Sequence, residues 1–305
     1  SWEAEAPGYW DMCLILIRNQ SVNTVTAAMV TEDMAVTAME NMVTAAVPTD
    51  SLMVRRMLMK RRRQKMVDLH IHILPGIDDG AKSLKESVEM ARMSAAGGVR
   101  AVSATSHGDF SFYEPEEYLE NYGKKLEDFC RALKEEQIPL EVHRGMELMV
   151  NESLLKAGRK GPLPGYGGSR RLLVEFFFDI SRTTALKWTD ELLAMGYQIV
   201  LAHPERYDFT KRQPEALEGF WRRGVILQVN KGSILGELGR RAARTADWLL
   251  SRGMAGLVAS DAHDPVLRTP DLEETARVLD IYYGSSASRI LLERNPARIL
   301  EGREL

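Results

Sequence analysis

Cysteine is scarce. Cys13 and Cys130 are the only two in 305 residues, and they form no CxxC pair. That excludes a disulfide framework and fits a reducing compartment. Long apolar runs are missing too: none approaches the roughly 18 residues of a membrane span. There is no excess of positive charge. Lys and Arg number 40 against 43 Asp and Glu, for a net charge of −3 and a pI of about 6.1. Such a chain gives no reason to expect nucleic acid as its main partner. No GxGxxG or P-loop is present, so the sequence offers no dinucleotide or nucleotide cradle. Histidine is itself rare, at six residues, which makes its placement informative.

Hydrophobic residues make up 45% of the chain, enough for a sizeable core. Composition changes near residue 66. Residues 1–65 hold eight of the fifteen methionines and one of the 23 glycines, and end in a basic run from Arg55 to Lys65. The stretch 25–47 has some helical character, weakened by threonine and valine. Because the basic residues follow the apolar ones, the segment is not a signal peptide. Residues 1–65 are expected to be a poorly ordered or partly helical extension, with Met66 as a natural start for the domain at 66–305. Expression from Met66 tests this, and loss of solubility or activity would count against it.

The 240 residues from Met66 are close to the roughly 250 of a β/α barrel. Strand-like runs at 66–71, 100–105, 140–147, 171–178, 198–203, 225–230 and 255–260 alternate with amphipathic helical stretches. Several of the helices end at a glycine just before the next strand. Seven such units imply a parallel sheet, closed or distorted into a TIM-like barrel, with an open doubly wound sheet as the other choice.

Five of the six histidines stand at or just beyond a strand's C-terminal end: His70, His72, His107, His203 and His263. Asp79, Glu147, Glu175 and Asp261 fall at matching places. In a β/α barrel those ends share the face that hosts active sites. His70 and His72, two apart on a strand, point to one side, and Asp261 and His263 repeat that spacing. A lone HxH is compatible with an ordinary core pair. A carboxylate such as Glu175 within LLVEFFF is harder to explain, because burying it is costly unless it is neutralised. Imidazole and carboxylate without thiolate suit manganese, zinc or iron. Nine such groups exceed the needs of one ion. Two or three ions point to phosphate-ester hydrolysis by ion-activated water. Asp68 shares a face with His70 and is expected to orient it. His143 reads as structural or supporting. Phe110, Phe112 and Tyr113 are available as a stacking wall for an aromatic ring.

The segments DLHIHILPGIDDGAKS, ATSH, GMELMV, LLVEFFF, LAHPERY, LQVNKGSILG and ASDAH resemble, in this order, the PHP superfamily of metal-dependent phosphoesterases. Within it they resemble the bacterial manganese-dependent tyrosine-protein phosphatases of the CpsB/CapC type, over all of 66–305. The resemblance implies a distorted seven-stranded PHP barrel with up to three divalent ions, Mn2+ first and Zn2+ or Fe2+ as other choices. It implies that His70, His72, Glu147 and Asp261 hold one ion. Glu147 then bridges to a second ion, held also by Glu175 and His203, and Asp79, His107 and His263 hold the third. Asp78 is taken as the non-ligand of its pair. Arg206 and Arg268 resemble the family's phosphate-contacting arginines, and His263 or a water is a possible proton donor. The family's usual substrate is a tyrosine-phosphorylated kinase tail that controls capsule or exopolysaccharide assembly. This implies a cytoplasmic enzyme with a membrane-associated partner. No cysteine lies in a CxxxxxR loop, so a thiolate nucleophile has no carrier. The rival readings are a small-molecule phosphatase of the histidinol-phosphate type, a non-catalytic metal-binding module and, last, an amidohydrolase.

Overall fold

The computed structural model describes residues 65–112 and 114–305. The expectations placed on residues 1–64, including the weak helix at 25–47, and on Tyr113 lie outside the described residues.

Strand segments β1 (Met66–Ile71), β2 (Val99–Ala104) and β4 (Glu141–Arg144) form one sheet, in the order β1-β2-β4. A second sheet runs β3 (His107–Gly108), β5 (Glu147–Met149), β6 (Arg171–Glu175), β7 (Gln198–Ala202), β8 (Ile226–Asn230) and β9 (Ala255–Ala259). Every pairing is parallel. The two sheets meet at a parallel bridge between Ile71 and Ala262. There His72 N donates to Ala262 O at 2.9 Å and Asp261 N to His70 O at 2.8 Å. The HxH and DAH segments therefore lie side by side.

Two of the seven expected strands are broken, which makes nine segments. The 100–105 run stops at Ala104 and pairing resumes at His107; the 140–147 run breaks between Arg144 and Glu147. At the first break the Thr105 hydroxyl accepts from Ile71 N at 2.8 Å and donates to Ile71 O at 3.2 Å. At the second, a Cβ on Gly145 would stand 2.3 Å from Ser103 Oγ, so only glycine permits the approach. The run 171–178 also ends early, at Glu175, because Phe176 N turns to the Tyr207 hydroxyl at 3.1 Å.

The principal helices are α1 (Leu84–Ala96), α2 (Pro115–Glu135), α3 (Glu152–Lys160), α4 (Arg182–Ala194), α5 (Arg240–Ser251), α6 (Glu273–Tyr282) and α7 (Asn295–Leu300). Their starts follow local chemistry. Ser83, Asn151 and Ser181 accept from backbone N–H groups in the first turns of α1, α3 and α4, which satisfies donors the helix leaves free. The amphipathic stretch 214–224 forms no single helix: a 3-10 turn, Pro214–Leu217, is followed by the short helix Glu218–Trp221. Gly219 and Gly224 in that stretch oppose a longer helix.

Helix α2 does more than cover the sheet. Its Tyr122 hydroxyl donates to Ala104 O at 2.8 Å and accepts from Gly145 N at 3.2 Å, pinning both strand breaks. Tyr118 Oη donates to His107 O. No helix of the described residues is long and apolar enough to cross a membrane.

Side-chain alternation divides the core. A cluster of Val67, Leu69, Ala101, Leu173, Val200, Ala202, Leu257 and Ala259 forms with Tyr166 and Ile299. Two residues along from Leu173 is Glu175, and two along from Ala259 is Asp261. The period of two thus sets Glu175, still within β6, on the face whose lower part is apolar, whereas Asp261 lies past the end of β9 in a left-handed conformation.

Candidate metal centre

All nine expected ligands converge at the ends of the strands. Glu147, wholly buried, is central. Its Oε2 lies 3.1 Å from His70 Nε2, 3.2 Å from His72 Nε2 and 3.2 Å from His107 Nδ1. Its Oε1 is 2.9 Å from His203 Nε2. Asp261 Oδ1 faces His70 and His72 at 3.4 and 3.5 Å. Glu175 Oε1 is 2.8 Å from His107 Nδ1. Asp79 Oδ1 is 3.5 Å from His107 Nε2 and 3.3 Å from His263 Nε2. Four sets of donor atoms cluster within 4.8 Å of one another: His72–Asp79–His107–His263, His70–His72–Asp261, His70–Glu147–His203 and His107–Glu147–Glu175.

The residues fit cations on their own chemistry. His70 Nδ1 meets Gln228 Oε1 at 2.8 Å, His72 Nδ1 meets Asp78 Oδ2 at 2.9 Å, and His263 Nδ1 meets Asp261 O at 3.0 Å. These partners only accept, so each Nδ1 donates and each Nε2 keeps its lone pair for the site. Yet His70 Nε2 and His72 Nε2 face each other at 3.2 Å. Two lone pairs so close require a positive charge between them. Glu147 Oε2 and Glu175 Oε1 are buried without a well-directed hydrogen bond, which is costly for a carboxylate unless a cation balances it.

The electrostatics agree. Burial opposes charge on His72, but its hydrogen bonds with Asp78 and Glu147 prevail and raise its pKa to about 10. Burial opposes charge on His107 likewise, and Asp79 and Glu175 raise it to about 12. Burial opposes ionisation of Asp261, while His70, His203 and Arg268 hold it down to about 2. In Glu175, burial and the neighbouring Glu147 charge push the carboxyl up. With no ion bound, this anionic cluster draws protons onto His70, His72 and His107, where a divalent ion would serve instead.

The backbone is strained here. His203 (φ 32°) and Asp261 (φ 50°) are two of the three positive-φ non-glycine residues among those described. Each such conformation costs about 1–3 kcal/mol and persists where surrounding contacts enforce it.

Arg206 and Arg268 stand at the edge of the cluster. Arg206 Nη1 and Arg268 Nη2 reach Asp261 Oδ2 at 3.2 and 2.6 Å. Arg206 also lies over the Phe178 ring, 4.7 Å from its centroid, a cation–π arrangement. The cleft of about 420 Å3 above the cluster is walled by Ile77, Phe112, Met149 and Phe178.

Several expectations need correction. Asp68 does not hold the His70 ring. Its Oδ1 accepts from the backbone N–H groups of His70 and Ser260, at 3.3 and 3.1 Å, and Gln228 takes the ring. The register irregularity between Asp68 and Ile71 breaks the face that the two were expected to share. His143, read as structural or supporting, lies in β4, the last strand of the β1-β2-β4 order, and pairs with Glu141 at 3.0 Å. Phe110 packs in the core, so of the three loop aromatics Phe112 is the one seen lining the cleft.

Sequence reasoning missed Gln228, Asn230 and Phe178, and left Asp78 without a role. Asn230 Nδ2 donates to Asp261 Oδ2 at 2.5 Å. A signal for the first two existed, since Gln228 and Asn230 are alternate polar residues in an otherwise apolar strand. Asp78 Oδ2 also accepts from His107 N at 2.8 Å, so it orients two ligand segments. Asp78→Asn is expected to weaken divalent-metal affinity by about 10- to 100-fold without unfolding the protein. A manganese titration checks this, and unchanged affinity would remove Asp78 from that role.

Comparison with known proteins agrees with this geometry. Residues 66–301 match the family of capsular polysaccharide synthesis proteins CpsB/CapC. The tyrosine-protein phosphatase YwqE of Bacillus subtilis (strain 168) is 31% identical over 228 residues, 75% of this chain and 89% of the relative. The tyrosine-protein phosphatase CpsB of Streptococcus pneumoniae is 27% identical over 241 residues, 77% of this chain and 98% of the relative. The crystal structures of YwqE and CpsB, metal-dependent tyrosine phosphatases, supply a match with TM-score 0.72 and 30% identity, covering 79% of this chain and 96% of that chain. A phosphotriesterase homology protein from Escherichia coli shares the fold alone, with TM-score 0.51 and 10% identity over 77% of this chain and 98% of that chain. With its ligand motifs gathered around Glu147 and its match spanning 66–301, the chain belongs to the CpsB/CapC family.

Proposed function

We propose that this protein is a metal-dependent protein-tyrosine phosphatase that hydrolyses phosphotyrosine in a protein substrate. The observation that carries the reading is the cluster of four donor sets joined through Glu147, with two arginines at its edge. We assign His70, His72, Glu147 and Asp261 to one ion, Glu147, Glu175 and His203 to a second, and Asp79, His107 and His263 to a third. Imidazole and oxygen donors without thiolate favour Mn2+, with Zn2+ or Fe2+ as other choices. Divalent ions bound there polarise phosphoryl oxygens and lower the pKa of water.

The chain's own residues do the rest. Arg206 and Arg268 bind phosphoryl oxygens bidentately and offset charge that develops in the transition state. Asp261 Oδ2 holds both guanidinium groups in place. Phe112, Phe178, Ile77 and Met149 shield the cleft and accept an aromatic ring. Because His263 Nδ1 donates to the Asp261 carbonyl, its Nε2 is suited to hold an ion rather than to donate a proton. A phenolate leaving group, with a pKa near 10, needs little protonation.

The sheet order and the Ile71–Ala262 bridge support a seven-stranded β/α barrel distorted at its two broken strands. We assign the phosphatase domain to 66–305, after an extension at 1–65. A family named for capsular polysaccharide synthesis favours a tyrosine kinase of that pathway as the substrate, and a cytoplasmic site of action. The test sets a phosphotyrosine peptide against histidinol phosphate under added Mn2+. Higher kcat/KM for the peptide is expected, and preference for histidinol phosphate would sink the reading.

A further inference from the structure

Lys231 follows the last residue of β8 and is only 6% exposed. Its ammonium makes three hydrogen bonds, to Thr269 O, to Thr269 Oγ1 at 3.1 Å and to Asp271 O at 3.0 Å. An ammonium has three N–H donors, so all three are satisfied, by two carbonyls and a hydroxyl. Burying a charge in this way is costly unless every donor is met. Burial pulls the Lys231 pKa below its usual value.

The segment it grips begins one residue after Arg268. That loop has little packing of its own. Val266 and Leu267 at its tip are 77% and 84% exposed. Its other end is tied locally: the Asp264 carboxylate accepts from Val266 N at 2.7 Å, Leu267 N at 2.6 Å and Arg268 N at 3.1 Å. His263 N donates to Arg268 O at 2.9 Å. Asp264 and Lys231 thus bracket Arg268, and Lys231 is the bracket that reaches from another strand. Its neighbour Asn230 holds Asp261 Oδ2, the same oxygen that Arg268 reaches.

We infer that Lys231 is a positioning residue, which braces the loop through Thr269 and Asp271 so that Arg268 is held ready for the phosphoryl group. This rests on the phosphatase reading and adds a residue to it. Lys231 touches neither substrate nor ion and acts through Arg268.

The experiment is a double-mutant cycle with Mn2+-loaded protein and inorganic phosphate as a competitive inhibitor. Lys231→Met is expected to keep its metal content, to raise KM and the phosphate inhibition constant by roughly tenfold, and to change kcat less. In an Arg268→Ala background the same substitution is expected to add nothing. Equal losses in both backgrounds, or unchanged phosphate inhibition in Lys231→Met, overturn the proposal. Should Lys231→Met not fold, Thr269→Val, which removes one of the three acceptors, enters the same cycle. It predicts a smaller loss only where Arg268 is present, and an equal loss in both backgrounds again overturns the proposal. Phosphate binding, measured directly by calorimetry, separates the two ideas: a wild-type protein that binds phosphate without turning over phosphotyrosine sinks the function and leaves the brace to be judged.

Discussion

Glu147→Gln is expected to lower kcat by about a thousandfold or more while leaving the protein folded. No other carboxylate in the cluster meets four histidines. Its two oxygens reach His203, His70, His72 and His107 at 2.9 to 3.2 Å. Glutamine has nearly the same shape, so packing is kept. It carries no charge, and its amide puts two N–H donors where at least one oxygen must accept. Burial favours the neutral form of the wild-type carboxyl, but the charge of His70, the hydrogen bond from His203 and the close His72 imidazole hold its pKa well below the usual carboxylate range. The site is therefore built for an anion at this point. Metal analysis, a melting curve and phosphotyrosine turnover form the check. A variant keeping a tenth of the wild-type rate would show that Glu147 is not the shared ligand.

Exhaustive chelation should abolish turnover, and Mn2+ should restore it. The donors that face inward, His70 Nε2, His72 Nε2 and Glu147 Oε2, have no neutral arrangement that satisfies them all. An ion present at about one hundred times its dissociation constant adds about 2.7 kcal/mol to folding stability. For a domain of this size, each kcal/mol moves the melting temperature by about 2–4 °C. A fall of about 5–10 °C on chelation is therefore expected. Glu147→Gln should lose most of this metal-dependent shift. Full activity after complete chelation contradicts the mechanism.

Much of the site was legible in the sequence because its ligands obey simple rules of place. Strand residues alternate, and parallel strands point one way, so polar residues at strand ends must share a face. All nine candidates could be gathered on that ground alone, and the family resemblance added how they would be divided among ions. The supporting residues were not legible in this way. Gln228 rather than Asp68 holds His70 because the strand irregularity after Asp68 turns the ring towards β8. Phe110 and Phe112 are neighbours in a loop, and only packing decides that one enters the core while the other lines the cleft. The two broken strands depend on contacts from elsewhere: Thr105 on Ile71, Gly145 on Ser103, and Tyr122 on both breaks.

By itself, the sequence determined the alternation of strands and helices and the identity of the nine candidate ligands. These follow from residue type and local period. The tertiary structure decided which histidines surround Glu147, which ring nitrogen faces the site, and what holds each arginine. Those depend on distances between segments as far apart as His70 and Gln228, where no local period reaches.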